Sequence, residues 1–335
     1  MIKLSVVVPT LNRKNSLKTT LNSIAKQTLP QSEFEVIVVD NGSTDETETV
    51  VKSFHPKIKN FQYLYTVEPG LHVGRHLGLK KSKSSILVYT DDDIEAFPGW
   101  LAAIKDTFKE DKKTCLVGGK NLPKFEVDPP VWLKEIWSKK SKYGKAYSYL
   151  SISDLGNKVK KINPYYIWGC NFSVRKSILI ESEGFHPDGM PSGLTKYRGD
   201  GESYIARFVL SKGYKSIYNP QASIFHLISK EKMTIDYLCK KAYMAGVSES
   251  YAKIRYGADD YSAKVQAKPA IKNRLRRIPS KLNNFLKKKF TQNNQKQIIE
   301  EKTGEFFWKG FNYHQEKVAK DKNLLEWVTK KNYLD

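Results

Sequence analysis

The sequence predicts an α/β domain whose mixed, mainly parallel sheet lies between helices, followed by a C-terminal helical extension. Three observations carry this. Short β-branched runs at residues 4–8, 34–39 and 86–90, with a more mixed run at 61–65, alternate with stretches whose apolar residues recur at helical spacing. Strand, loop and helix succeed one another in that order, which favours a parallel sheet covered on both sides. Polar loops at 9–13, 40–45 and 91–95 follow three of the strands, and ligands on such sheets bind beyond the carboxyl ends of the strands, where these loops would converge.

Taken in order, residues 4–8 form the first strand, closed by Pro9-Thr10-Leu11-Asn12-Arg13, and Leu17, Leu21 and Ile24 mark the helix after it. The second strand empties into Asp40-Asn41-Gly42-Ser43-Thr44-Asp45, where Ser43 or Thr44 is placed to cap the helix through Val50 and Val51. Residues 61–65 read as a third strand and 73–79 as a helix carrying Arg75 and His76. The fourth strand, 86–90, runs straight into Asp91-Asp92-Asp93. Three adjacent carboxylates at the end of a core strand repel one another, and cations, hydrogen-bond donors or solvent must offset that repulsion. Asp91 and Asp93 point the same way in an extended chain, and hard oxygen ligands suit Mg²⁺ or Mn²⁺. The competing reading is an aspartate-rich turn that caps the helix beginning near Pro98. There is no G-x-x-x-x-G-K-[ST] loop and no glycine in the turn after the first strand, so neither common glycine-rich phosphate loop is available.

Composition narrows the partners. The 335 residues carry a net charge of +22, which favours nucleic acid, anionic lipid or phosphorylated small molecules. Cys115, Cys170 and Cys239 are an odd set in a large chain, which argues against a disulfide framework and for a reducing compartment. The apolar run at residues 4–8 is too short for a signal peptide, and no stretch approaches the ~18 apolar residues of a membrane span. The expectation is a cytoplasmic protein, with the inner face of the plasma membrane as a surface its charge would suit.

The order of these motifs resembles the family 2 glycosyltransferases, from Leu4 to about His226. The matching stretches are Ser5-Val6-Val7-Val8-Pro9-Thr10-Leu11-Asn12-Arg13, Val38-Val39-Asp40-Asn41-Gly42-Ser43-Thr44-Asp45, Gly74-Arg75 with Gly78, and Thr90-Asp91-Asp92-Asp93. The resemblance implies a GT-A-type nucleotide-diphospho-sugar transferase fold. It also implies that Pro9, Thr10, Asn12, Arg13, Asp40 and Asn41 line the base and ribose of a nucleotide-sugar, with Arg75 near the diphosphate. The family's D-x-D pair maps onto Asp91 and Asp93, although the triple aspartate leaves a register that uses Asp92 open. For Arg75 the alternative is a solvated helix position.

Further along, Phe97-Pro98-Gly99-Trp100 opens a helix and residues 114–119 read as a strand. Residues 121–164 show a looser pattern rich in lysine and aromatic residues, suited either to sugar stacking or to local packing. Trp168-Gly169-Cys170-Asn171-Phe172-Ser173-Val174-Arg175 resembles the family's G-x-N-x-x-x-R segment beside the donor sugar, which brings Trp168, Gly169 and Asn171 into the nucleotide-sugar set. Cys170 is read as a small buried filler. Gly199-Asp200-Gly201-Glu202 precedes a helical pattern, and capping by Asp200 is its simplest reading. By resemblance Asp200 matches the base of the family's E-D pair, with Gly199 where the glutamate would stand, and Glu202 is the reserve. His226 follows a short strand and by resemblance completes the metal shell.

These readings divide the chain into a catalytic domain at 1–230, with a nucleotide-binding half at 1–120 and an acceptor and base half at 121–230, and a basic helical extension at 231–335. The extension carries Arg274-Leu275-Arg276-Arg277 and Lys287-Lys288-Lys289, suited to an anionic membrane or to plain solvated helices. The expected activity is inverting, Mn²⁺- or Mg²⁺-dependent transfer from a nucleotide-sugar, foremost a UDP-sugar, to a hydroxyl of a glycan or lipid-linked oligosaccharide. The alternatives are nucleotidyl transfer to a sugar phosphate and a non-catalytic basic binding protein. Nucleic acid ranks last as a partner because no recognised module accompanies the charge.

Overall fold

The computed structural model describes residues 1–257 and 284–334, with side chains in the last helical part described from 295. The first half alternates as β1 (Leu4–Thr10), α1 (Lys14–Ala25), β2 (Phe34–Asp40), α2 (Thr47–Lys52), β3 (Phe61–Tyr65), α3 (Leu71–Lys81), β4 (Ile86–Tyr89), β5 (Ile94–Ala96) and α4 (Trp100–Glu110). There follow β6 (Thr114–Gly118), β7 (Asn121–Phe125), α5 (Val131–Ser138), β8 (Lys145–Tyr147), β9 (Ile152–Asp154), β10 (Lys160–Lys161), β11 (Phe172–Arg175), α6 (Lys176–Glu181), α7 (Glu202–Ser211), β12 (Lys215–Tyr218) and β13 (Ile224–Ile228). Three helices close the chain, α8 (Ile235–Tyr256), α9 (Asn284–Lys320) and α10 (Lys322–Thr329).

The main sheet has the order β10-β12-β6-β11-β4-β1-β2-β3. β1 pairs in parallel with both β2 and β4, so the chain turns one way toward β3 and the other toward β4. That reversal leaves a crevice beyond the carboxyl ends of β1 and β4. β11 is antiparallel to β4, with Phe172 opposite Tyr89, so the stretch before β11 opens at the same edge. Alternate residues of β1 face different layers. Val6 and Val8 pack with Leu17, Leu21, Trp100 and Ile104, while Val7 packs with Leu79, Leu179, Ile205 and Val209. Burial on both faces is the reason these strands read as continuous apolar runs.

A second sheet has the order β5-β13-β7-β9-β8. Residues 121–164, loose by pattern, supply much of it and build a core of Trp132, Leu133, Leu150 and Ile152 with Ile228, Leu238 and Ile299. Strands of two to five residues give too short a window for a period to show. β5 likewise stands where a direct run into the next helix was expected. It pairs with β13, opposing Ile94 to His226. The helix after it starts from Gly99 with no side-chain cap, so the aspartates are not capping residues. Ser43 and Thr44 do not cap α2 either; they bond Asn12.

The proposed boundary near residue 230 falls at the short turn Lys230–Met233 that leads into α8. α8 and α9 cross with backbones in contact, since a β-carbon on Gly246 would lie 1.9 Å from the Phe307 carbonyl oxygen and one on Gly310 2.0 Å from that of Tyr243. Arg274–Arg277 lie outside the described residues, and Lys287–Lys289 fall in the first turns of α9. Among the described residues no helix is long and apolar enough to cross a membrane.

Candidate active site

The loop after β4 meets the loop after β1 at the crevice. Asp92 accepts a hydrogen bond from the Thr10 hydroxyl at 2.7 Å and one from Arg13 at 3.0 Å. Arg13 also reaches Asp93 Oδ2 at 2.9 Å, and Lys232 donates to the same oxygen at 2.6 Å. Lys232 was not singled out in the sequence; its only signal is a position six residues past His226. Asp93 is held ionised, well below the usual carboxylate range, because His226, Lys232 and Arg13 outweigh the burial that opposes them. Burial moves the neighbouring acids the other way. The Asp91 carboxyl is raised by burial and then by the Asp93 charge, and that of Asp92 is pushed up to about 7 by burial, against Arg13.

Ligand atoms of Asp91, Asp93 and His226 all lie within 4.8 Å of one another. Asp93 Oδ1 is buried and has no hydrogen-bond partner. His226 Nδ1 is 2.8 Å from the Leu150 carbonyl oxygen, and its Nε2 is 3.3 Å from Asp93 Oδ1. An imidazole that donates through Nδ1 to that carbonyl presents a lone pair through Nε2 to a carboxylate oxygen. In that neutral form two acceptors face each other, an arrangement a cation would bridge, so the donor set fits a divalent metal. Two oxygens and one imidazole nitrogen suit Mn²⁺ somewhat better than Mg²⁺.

The other nucleotide-side residues mostly tie loops together. Asn12, in a left-handed conformation at φ 54°, accepts the Thr44 amide at 2.7 Å and donates its own amide to the Ser43 hydroxyl at 2.8 Å. Asp40 accepts the Ser43 amide at 2.8 Å and the Tyr63 hydroxyl at 2.9 Å. Asn41 donates to the Gly70 carbonyl and abuts Gly74, where a β-carbon would meet its Oδ1 at 2.4 Å and the Pro9 ring at 3.3 Å. The bare Gly74 is what lets α3 lie this close to β1.

Across the crevice Arg75 is buried in α3 and donates to Glu202 Oε2 at 3.2 Å. Against burial, Glu202, Asp91 and Asp188 hold its guanidinium charged. Glu202 Oε1 accepts the Gly169 amide at 3.3 Å, and a β-carbon on Gly169 would strike Arg75 at 2.3 Å. Glu202 is also among the charges acting on Asp91, and its side chain keeps 24% exposure. Asp200 has different company. Its Oδ1 lies 2.8 Å from His186 Nδ1, its Oδ2 accepts the Tyr256 hydroxyl at 3.4 Å, and its side chain is 5% exposed. It does not cap α7, whose first turn starts at Gly201 without a side-chain cap. Asn171 is wholly buried, bonded to Trp100, Asn121 and the Ala222 carbonyl. Trp168 donates to the Tyr165 carbonyl and packs on the core. Burial pushes the Cys170 thiol well up, in keeping with a filler.

The model of the family described as Glycosyl transferase family 2 matches residues 5–182, more than half of the chain. The chain belongs to glycosyl transferase family 2. This family 2 glycosyltransferase is similar to Glycosyltransferase AglE of Haloferax volcanii, 35% identical over 98 residues, 29% of this chain and 32% of that protein. It therefore spans about a third of that relative's length in the match. The Glucosyl-dolichyl phosphate glucuronosyltransferase of the same organism is 22% identical over 268 residues, 78% of this chain and 82% of that one. Among solved structures, the mannosyltransferase PcManGT from Pyrobaculum calidifontis, in complex with GDP-Man and Mn²⁺, superposes with a TM-score of 0.54 at 17% identity, covering 99% of this chain and 84% of that chain. That likeness establishes the GT-A fold.

Proposed function

We propose that this glycosyltransferase transfers a sugar with inversion from a nucleotide-sugar, a UDP-sugar first, to a hydroxyl of a glycan or lipid-linked acceptor. The observation that carries the proposal is the meeting of Asp91, Asp93 and His226 at the β1/β4 crevice, with the partly exposed Glu202 among the charges that reach Asp91. Asp91, Asp93 and His226 would hold a divalent cation. Bound there, it supplies positive charge to a leaving diphosphate. Arg13 and Lys232 keep Asp93 ionised and so ready to ligate. Inversion needs a base on the face opposite the leaving group, within hydrogen-bond reach of the acceptor hydroxyl. Glu202 fits that need better than Asp200. Arg75 and the Gly169 amide orient it while solvent still reaches it, whereas Asp200 is closed in by His186 and Tyr256. The preference between the two acids is thus reversed from the one drawn from sequence. A lipid-linked acceptor is supported by the net charge and by Trp308 on α9, 55% exposed and stacked edge-on against Phe307 and Phe311, an aromatic group suited to a membrane interface.

A thermal-shift screen of UDP-glucose, UDP-GlcNAc, UDP-glucuronate and GDP-mannose with and without Mn²⁺ tests the donor side. A Mn²⁺-dependent shift with at least one of them is expected, and none with any would overturn the reading. For the base, Glu202→Gln should cut turnover by about 10²–10⁴-fold while the Mn²⁺-dependent shift persists; wild-type turnover in that variant refutes the assignment.

A further inference from the structure

Asp200 and His186 lie outside the chemistry just described, yet both are buried. His186 is 1% exposed and lies flat on Tyr204, ring centroids 3.6 Å apart. Tyr251 and Tyr333 meet it edge-on, at 5.6 and 5.1 Å. Its Nδ1 faces Asp200 at 2.8 Å and the Tyr251 hydroxyl at 3.2 Å, and the Tyr251 hydroxyl is 2.9 Å from that of Tyr333. The Tyr333 hydroxyl in turn donates to the Trp327 carbonyl. Arg255 of α8 covers the rings of Tyr251, Tyr256 and Tyr333 and donates to the Val328 carbonyl at 2.7 Å. The polar chain thus runs from the loop before α7, through α8, to the residues after α10.

The same loop is gripped from the same side at other points. Ser248 of α8 donates to the Gly199 carbonyl at 2.6 Å and accepts from Arg198 at 3.0 Å. Trp327 of α10 donates to the Tyr197 carbonyl at 2.9 Å, and Lys196 pairs with Asp321 at 3.0 Å. Between Asp200 and Glu202 stands Gly201, at φ 52° and ψ −128°, with space for a β-carbon closed by Asp188 Oδ2 at 2.7 Å. A side chain there would be strained, so this turn persists only if its flanks are fixed. Glu202 is fixed on one flank by Arg75, and Asp200 on the other by the C-terminal helices.

We propose that Asp200, His186, Tyr251 and Tyr333 are positioning residues through which the C-terminal extension sets the Gly201 turn and so places the Glu202 carboxylate against the acceptor. The extension is then part of the transfer machinery rather than an appended module. The inference rests on the reading of Glu202 as base. A base displaced by about 1 Å loses on the order of 10²-fold in rate without any change in what binds the donor.

The test compares His186→Phe, which keeps the ring stack but removes the imidazole N–H from Asp200 and leaves it only the longer Tyr256 contact, and Tyr333→Phe, which breaks the link at its far end, with Glu202→Gln. Release of UDP or GDP from the four nucleotide-sugars named above gives kcat and donor KM, and UDP with Mn²⁺ gives the binding shift. His186→Phe should lower kcat about 10–100-fold with donor KM and the UDP shift unchanged. Tyr333→Phe should lower it less, and His186→Asn, which restores an N–H toward Asp200, should recover part of the loss. The double variant His186→Phe/Glu202→Gln should be no slower than Glu202→Gln alone, because the first change acts only through the second residue. Multiplying losses in the double variant, or wild-type kcat in both His186→Phe and Tyr333→Phe, would overturn the positioning chain while leaving Glu202 in place. Full activity in Glu202→Gln would instead remove the base assignment and the chain with it. If His186→Phe does not fold, Tyr333→Phe and its double with Glu202→Gln carry the comparison.

Discussion

The two acidic ends of this site are built in opposite ways. Asp91, Asp92 and Asp93 come from one loop, and two cations, an imidazole and a hydroxyl from elsewhere converge on them: Arg13, Lys232, His226 and Thr10. Glu202 and Asp200 come from one turn too, but each is claimed by a different part of the molecule, α3 on one side and α8 with the C-terminal residues on the other. The metal side is a local motif that imports its neighbours. At the Gly201 turn, by contrast, two neighbouring acids are drawn to different partners, Glu202 to Arg75 and Asp200 to His186 and Tyr256.

The largest effect that would sharpen this contrast belongs to the metal side. Asp93→Ala removes a ligand and leaves Lys232 and Arg13 facing an empty place. The Mn²⁺-dependent thermal shift should vanish and turnover should fall by about a thousand-fold, as loss of several kcal/mol of charge stabilisation implies. A retained Mn²⁺ shift would break the comparison at its firmer end.

Acid should lower the stability of the whole fold through buried histidines. Burial lowers His72, in α3, to about 4 and His314, in α9, to about 4. An unfolded chain binds these protons near pH 6.5, the folded one only near 4, so stability is complete above about 6.5 and is lost as pH falls toward 4. Each group accounts for on the order of 3 kcal/mol across that window. Denaturant melts at pH 7, 5.5 and 4.5 should show the decline, and His314→Gln should make it shallower.

A smaller effect probes the turn. Gly201→Ala places a β-carbon against Asp188 at positive φ and should cost about 1–3 kcal/mol, with turnover falling while the Mn²⁺ shift remains. Equal loss of both would show that the two ends are not independent. Smallest of all, Cys170→Ala removes a buried thiol that accepts from Asn121, and turnover should stay within about twofold. Abolished transfer would point to covalent chemistry instead.

Where sequence and structure agree, the reason is that the signal is local. Continuous apolar runs reveal β1, β2 and β4 because both faces of these strands are covered. Asp91-Asp92-Asp93 is legible because unrelieved like charge at a strand end demands a partner. Residues 121–164 escape because their short strands gain order from Ile228, Leu238 and Ile299, far along the chain. Lys232, Asp188 and His186 carry no pattern at all before folding brings them to their carboxylates or their turn.

The amino-acid order alone settled that a parallel sheet would form, and that its loops would gather acids suited to a metal and a phosphorylated partner, because apolar period and charge density act between near neighbours. Which acid stands open to solvent was decided only in three dimensions. Asp200 and Glu202 are two positions apart and chemically alike, and it took Arg75 from α3, and Tyr251 and Tyr333 from the far end of the chain, to give them different surroundings.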